Sequence, residues 1–484
     1  MSALRERWDR LGRPERVLVW LFLAVVVLRA YVYLGVAGDE LVGDEAYYLD
    51  SGRALSNLVR DLVWLRSPDT AELDRIVVGS GWFMPGMSVV LAPLYLVVPG
   101  ASIAVARGYL AVVTTLLLLV TARRVRRTFG NGPAGALLVY PGLVPTYAAF
   151  AAAGWGDSAA GLVAVLVICR AVDSVRAVRE HRPVPWHRGL GLGALAIVAV
   201  YFRSSVSLLV VGVLGVTFVV SLLLAHRAER GRVVLSYVAA GVAFLALLAP
   251  WSIGASAALD GRVVTTVSVP TVRANTFGDR DRVCFGECDT GTSIWFSPLR
   301  YSREQARAAG VSEVEIADEM SAYARQDVTA SSYAHDVVIN TGRYFGQPAR
   351  FATLLSADDA PVGIVLLSEV VTNALFYPAT LVLLVLLGAR TRRRFERQLQ
   401  LVLLKVGVLA LMAQPFVHIA GPRYWTSMAP LLGLGAALLW AVRRDRRSGV
   451  PVEGGPASRL LDVLQVGLSV FALLVVVAVV ALGV

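Results

Sequence analysis

Trp82-Phe83-Met84-Pro85-Gly86-Met87-Ser88-Val89-Val90-Leu91-Ala92-Pro93-Leu94-Tyr95-Leu96-Val97-Val98 is apolar enough to cross a bilayer, and whether it crosses sets the side of everything after it. It contains Pro85 and Pro93, with Pro99 just beyond. Arginine clusters decide the question, because positive charge is retained on the cytoplasmic side of short loops. The first cluster is Arg5, Arg7, Arg10, Arg13 and Arg16, and the next is Arg123, Arg124, Arg126 and Arg127. Arg176, Arg179, Arg182 and Arg188 follow, then Arg227, Arg230 and Arg232. The last two are Arg390, Arg392, Arg393, Arg394 and Arg397, and Arg443, Arg444, Arg446 and Arg447. Together they hold 25 of the 46 basic residues. If residues 82–98 crossed, every cluster from Arg123 onward would lie opposite the N-terminus. The segment is therefore expected to lie along, or dip into, the outer face as a juxtamembrane or re-entrant helix.

The rest of the chain supports this frame. Of its 484 residues 56% are hydrophobic and 17% charged, where soluble domains run near ~25% charged, which excludes a soluble enzyme. The net charge of +11 sits in the clusters between apolar runs, so it is no nucleic-acid surface. Residues 17–36 form too long a run for the usual ~7–15-residue core of a signal peptide, although Gly35-Val36-Ala37 resembles a cleavage site; an uncleaved first span with its N-terminus inside is expected. Further spans are expected at 103–122, 133–153, 158–175, 189–203, 204–225, 233–251, 362–388, 399–417, 424–442 and 460–483. The fold class is thus an all-α polytopic membrane protein of about 11 transmembrane helices with its C-terminus outside. No polar turn separates 189–203 from 204–225, which predicts broken helices meeting within the membrane around Arg203.

The expected organisation is a transmembrane module over 1–251, with an outer loop at 38–81 and a juxtamembrane helix at 82–99, then a second outer loop at 252–361 and C-terminal helices over 362–484. Both loops are acidic, nine acids against four arginines in Gly38 to Gly81 and fourteen against ten in Ser252 to Ala360. Val314, Ile316, Ala317 and Met320 predict an amphipathic helix over Val311 to Ala324. Cys169 is read as a small core residue, whereas Cys284 and Cys288 are either two free thiols or a small ring. Lys405, the one lysine, is expected to snorkel.

The first loop opens Gly38-Asp39-Glu40-Leu41-Val42-Gly43-Asp44-Glu45-Ala46-Tyr47-Tyr48-Leu49-Asp50-Ser51-Gly52-Arg53-Ala54-Leu55. From Asp44 onward it suits a helix with Ala46, Leu49 and Ala54 facing lipid or protein. Asp44 stands near the N-cap, where it either caps the helix or serves as a general base toward a hydroxyl. Asp157, before Ser158, suits the N-cap of the helix that follows. An arginine deep in an apolar run costs about 2.5–3.5 kcal/mol to insert, so Arg203 should face a cavity with Asp157 or Glu369 as partner. Arg203 and Arg423 are candidate phosphate ligands, since a guanidinium offers paired donors and keeps its charge. His418, Tyr47, Tyr48 and Tyr424 are candidate substrate contacts that serve equally as interfacial side chains. No serine-triad order, phosphate loop, dinucleotide fingerprint or zinc-protease motif accompanies them.

In order, a first span, Gly43-Asp44-Glu45-Ala46-Tyr47-Tyr48-Leu49, a proline-containing apolar segment, Pro250-Trp251-Ser252-Ile253 and His418-Ile419-Ala420-Gly421-Pro422-Arg423-Tyr424 resemble the C-type (GT-C) glycosyltransferases that use polyprenyl-phosphate sugars. Bacterial protein mannosyltransferases and lipid A aminoarabinose transferases belong to that group. The resemblance implies Asp44 as catalytic base with Glu45 in support, Asp157 as the family's second aspartate, and a polyprenyl-phosphate monosaccharide donor lying beside Trp82 to Val98. It also implies a bacterial plasma-membrane enzyme with an extracytoplasmic site, acting on a glycan or glycolipid hydroxyl, or on Ser/Thr of secreted proteins. No cofactor or metal is required, although Asp39, Glu40, Asp44 and Glu45 are of the type that meets a hard cation. Phe83-Met84-Pro85 departs from the acid and lysine that precede this proline in the aminoarabinose branch. A transporter with Arg203 and Glu369 on its substrate path is the reading from another class, though no duplicated halves are visible.

Overall fold

Crossing ~30 Å of hydrocarbon takes ~20 helical residues, and nine helices among the described residues are long and apolar enough to do so. The computed structural model describes residues 11–36, 40–41, 44–69, 72, 76, 84–266, 276–277, 304–346, 361–417 and 421–483. In chain order the helices are α1 Arg13–Val36, α2 Glu45–Val63, α3 Gly86–Val97, α4 Ile103–Phe129, α5 Asn131–Val139, α6 Pro145–Ala152, α7 Asp157–Arg179 and α8 Trp186–Phe202. They continue with α9 Ser207–Leu224, α10 Arg227–Ala258, α11 Glu313–Ala324, α12 Ala330–Phe345, α13 Val362–Gly388, α14 Phe395–Met412, α15 Trp425–Arg447 and α16 Pro456–Gly483. The chain is an all-α polytopic membrane protein. Leu23 and Val27 on α1 and Phe471, Leu473 and Leu474 on α16 stand exposed; apolar faces of this extent have lipid as their solvent.

Two runs expected to be spans are built differently. Residues 133–153 form α5 and α6, of nine and eight residues, around a break at 140–144. Pro141 has no N–H to continue α5, and Val144, extended as a residue before proline prefers, lets Pro145 open α6 at its first turn. Residues 189–202 lie in the 17-residue α8, which stops at Phe202 where Arg203 turns extended (φ −161°, ψ 118°). A single 3-10 turn, Ser204–Val206, then leads into α9. That is the interruption expected around Arg203.

Salt bridges tie the arginine clusters to one end of the bundle. Arg126 reaches Glu15 at 2.9 Å, Arg176 reaches Glu396 at 3.1 Å and Arg179 reaches Glu453 at 3.0 Å. Arg393 donates to the carbonyl of Asp445 at 3.0 Å, and His181 lies 3.6 Å from Glu229. Since α1 starts and α4 finishes at this end, α1 ends and α4 begins at the other. α3, of twelve residues and about 18 Å, does not cross and packs on the amphipathic α2.

α7 is the most buried of the long helices, and small residues let its neighbours close on it. Gly161 abuts the backbone of Ser427 on α15; on α8, Gly189 and Gly193 abut the carbonyls of Ser236 and Ala240 on α10, leaving no room for a Cβ. One turn of spacing between small residues on each helix is how membrane helices gain van der Waals contact without a hydrophobic driving force. Cys169 is buried on α7 as expected. Lys405 does not snorkel: it is fully buried on α14, with Nζ donating to the Gln465 carbonyl (3.0 Å) and to Ser469 Oγ (2.6 Å) of α16. Those two acceptors replace the water its ammonium gives up. In the second long loop, α11 starts one residue after Ser312, whose Oγ accepts the Glu315 N–H, and buries Ile316, Ala317 and Met320.

Candidate active site

Four charged residues meet where α2, α7, α8 and α15 come together, at the end opposite the arginine clusters. Asp157 is the first residue of α7 and fully buried. Arg203 Nε lies 2.8 Å from its Oδ1 and Arg423 Nε 3.5 Å from its Oδ2. Arg423 also places Nη1 2.7 Å from Asp44 Oδ2. Asp44 occupies the N-cap position of α2, but its side chain makes no capping hydrogen bond and is committed to Arg423. Neither Asp157 oxygen accepts a well-aligned hydrogen bond, so the contacts there are ion pairs held by charge. Removing one member of so buried a set would leave an uncompensated charge.

Local sequence explains each approach. The C-terminus of α8 comes against Gly156, where a Cβ would overlap the Phe202 carbonyl oxygen, and this places Arg203 beside Asp157. Gly86, at the start of α3, leaves the same clearance for the Tyr201 carbonyl. Pro422 opens the 3-10 turn Pro422–Tyr424 that presents Arg423 ahead of α15, and Ser427 Oγ donates to the Asp157 carbonyl at 3.1 Å.

Aromatic faces complete the cation sites. The Arg203 guanidinium lies 4.5 Å from the centre of the Tyr424 ring and that of Arg423 lies 5.1 Å from it, so one ring serves two cations. Arg423 also covers Trp155 at 4.6 Å. Tyr48 is buried within the field of Asp44, Arg203, Arg423 and Asp157. Burial, followed by Asp44, pushes its phenol above the ordinary value. Burial alone would lower Arg423, but the pull of Asp44 and then of Tyr424 and Asp157 carries it above the ordinary value. Phosphate and sugar ligands suit such a place: fixed cations, two carboxylates and rings in a partly dry setting.

Of the residues singled out from the sequence, Asp44, Asp157, Arg203, Arg423, Tyr424 and Tyr48 come together. Glu45 does not join them. It is buried and takes a bidentate bond from Arg107 of α4, Nε to Oε1 at 2.8 Å and Nη2 to Oε2 at 2.7 Å, while Arg107 Nη2 also donates to the Glu40 carbonyl at 2.6 Å. Tyr47 is half-buried on the same turn of α2. Glu369 is not the partner of Arg203, which is taken by Asp157. His418, Cys284 and Cys288 lie outside the described residues.

Sequence reading missed Arg107, although an arginine inside the apolar run of α4 is itself the signal of a buried acidic partner. It also missed the floor of the site. Tyr344 comes from α12 in the second long loop, is fully buried, feels the charges of Asp157 and Arg203, and stands 5.5 Å ring to ring from Trp425. Trp425 Nε1 donates to Tyr140 Oη (2.8 Å), which shares a 2.8 Å bond with Tyr147 Oη. Comparison with protein-family models and with curated proteins finds no match for this chain.

Proposed function

We propose that this protein is a membrane glycosyltransferase that moves a monosaccharide, mannose-like or arabinose-like, from a polyprenyl-phosphate carrier to a hydroxyl of an extracytoplasmic envelope glycan or glycolipid. The observation that carries the proposal is the Asp44–Arg423–Asp157–Arg203 cluster. Four residues distant in sequence are joined by a chain of ion pairs, Asp44 to Arg423, Arg423 to Asp157 and Asp157 to Arg203, at the end away from the arginine clusters. With that end outside, the site has no access to cytosolic nucleotide sugars, and the bilayer supplies a lipid-linked donor instead.

In this mechanism Asp44 takes the proton from the acceptor hydroxyl as its oxygen attacks the anomeric carbon, and the sugar–phosphate bond breaks with the electron pair leaving on the phosphate. Arg203 and Arg423 receive the departing phosphate, and Asp157 keeps both guanidiniums in place before it arrives. A single displacement inverts the anomeric centre. Glu45 supports the base indirectly, by pinning the first turn of α2 to α4 through Arg107. The donor's lipid lies along α3, beside the start of α2.

The test is transfer from a radiolabelled polyprenyl-phosphate sugar by purified protein supplied with a membrane extract. General-base catalysis contributes about 10²–10⁴-fold, so Asp44→Asn is expected to lower the rate by at least about a hundredfold while eluting as a folded monodisperse protein. Full activity in that variant would remove Asp44 as base. Label in protein rather than in lipid or glycan would make the acceptor a Ser/Thr hydroxyl, and counterflow in vesicles without bond formation would replace the transferase by a transporter.

A further inference from the structure

At the arginine end a cavity of about 340 Å³ opens between the last turns of α4 and α7 and the first turn of α8. Its size is at the lower end of the ~300–1,000 Å³ of small-molecule sites. Arg124, Arg170, Arg176, Arg182 and Arg188 line it, with Asp173 among them. Asp173 is shared by Arg124 and Arg176, the latter at 3.4 Å. Arg176 also reaches Glu396, and Arg182 reaches Glu180 at 2.6 Å. Arg170 and Arg188 have no carboxylate at ion-pair distance among the described residues, and Arg170 meets the repulsion of Arg124 and Arg188 against the attraction of Asp173 alone.

Five guanidiniums around a single carboxylate leave the cavity strongly positive, and an anion seated between Arg170 and Arg188 offsets that excess. A phosphate suits them best, since each guanidinium offers it two parallel donors. The start of α8, whose third residue is Arg188, adds the positive end of a helix dipole. Trp186 opens that helix and is 53% exposed. Tryptophan in such a position marks the depth of lipid headgroups, and basic pockets between helices at this depth take anionic headgroups.

We propose that this cavity is a binding site for a phosphate group held between Arg170 and Arg188, the phosphate being borne by an anionic phospholipid of the leaflet at the arginine end. The site is separate from the Asp44 cluster, because Arg170 lies thirteen residues along α7 from Asp157, about 20 Å. It does not depend on the transferase reading.

The experiment is native mass spectrometry and thermal shift of the full chain in neutral detergent, with dioleoyl-phosphatidylglycerol, with dioleoyl-phosphatidylcholine and with inorganic phosphate. Phosphatidylglycerol should be retained at least about tenfold over phosphatidylcholine and should raise the melting temperature. Arg170→Gln with Arg188→Gln should cut that retention about tenfold or more. Arg443→Gln with Arg447→Gln, at the same end but outside the cavity, should leave it unchanged. If the glutamine pair fails to fold, Arg170→Lys with Arg188→Lys keeps the charge and should show an intermediate loss. Inorganic phosphate that displaces the lipid and stabilises equally well would uphold the phosphate site and overturn its lipid source. Equal retention of both lipids, or unchanged retention in the glutamine pair, would overturn the site itself.

Discussion

Glu45 and Asp44 are adjacent in sequence and divide their labour because one points into the protein and the other toward the site. In the Glu45–Arg107 pair the side chains are 1% and 2% exposed, where breaking one partner costs about 3–5 kcal/mol and replacing both with apolar residues is often neutral. Glu45→Gln is therefore expected to lower stability by about that amount, read as a drop in denaturation midpoint. Glu45→Met with Arg107→Met should recover most of it together with the transfer rate; a stable but inactive double variant would instead place Glu45 against substrate. One contribution to the pH response comes from Tyr48, whose folded-state pKa is raised. A raised folded pKa contributes stability that is fully present below the unfolded value, near ~10, and lost as pH rises above it. Thermal midpoints should thus show no loss from this group between pH 7 and 9, and a decline above about pH 10 that Tyr48→Phe makes shallower by this group's share. Residue types in the cluster were legible beforehand, since an arginine in an apolar run and an acid at a helix start each demand explanation. Their partners were not, because the acid that answers Arg107 lies 62 positions away.

At the scale of elements, the site depends on where helices stop. α8 ends at Arg203 and α7 begins at Asp157, and Gly156 sets how closely these ends meet. Gly156→Val would force the Phe202 carbonyl away and carry Arg203 off Asp157. The expected result is a transfer rate lower by about 10²-fold, as positional shifts near 1 Å produce, with a smaller change in melting temperature; unchanged activity would show that the site tolerates the gap. Hydropathy located the long helices, because an apolar run of sufficient length has few alternatives in a bilayer. It merged α5 with α6, since Pro141 and Pro145 interrupt backbone geometry without lowering apolarity. It also passed over α12, which carries Tyr344 to the floor of the site.

Across the whole molecule, charge is sorted between two ends. Ion pairs join the arginine clusters at one, and the Asp44 cluster, α2 and α3 sit at the other. Single cysteines in a Cys-free background at the exposed Ser102 and Ser448 should react from opposite sides of sealed vesicles, Ser102 from the outside and Ser448 from the inside. Both reacting from one side would break the topology. The amino-acid sequence by itself determined the helical membrane class, the shared side of the arginine clusters, the non-crossing segment after the first outer loop and the interruption at Arg203. Each of these follows from apolarity, proline and charge summed over neighbouring residues. Only the tertiary structure decided that Arg203 and Arg423 share Asp157, that Arg423 takes Asp44, that Glu45 is spent on Arg107 and that Lys405 is buried. Coulomb pairing depends on distance in space, and the approach of buried groups is set by which helices pack together.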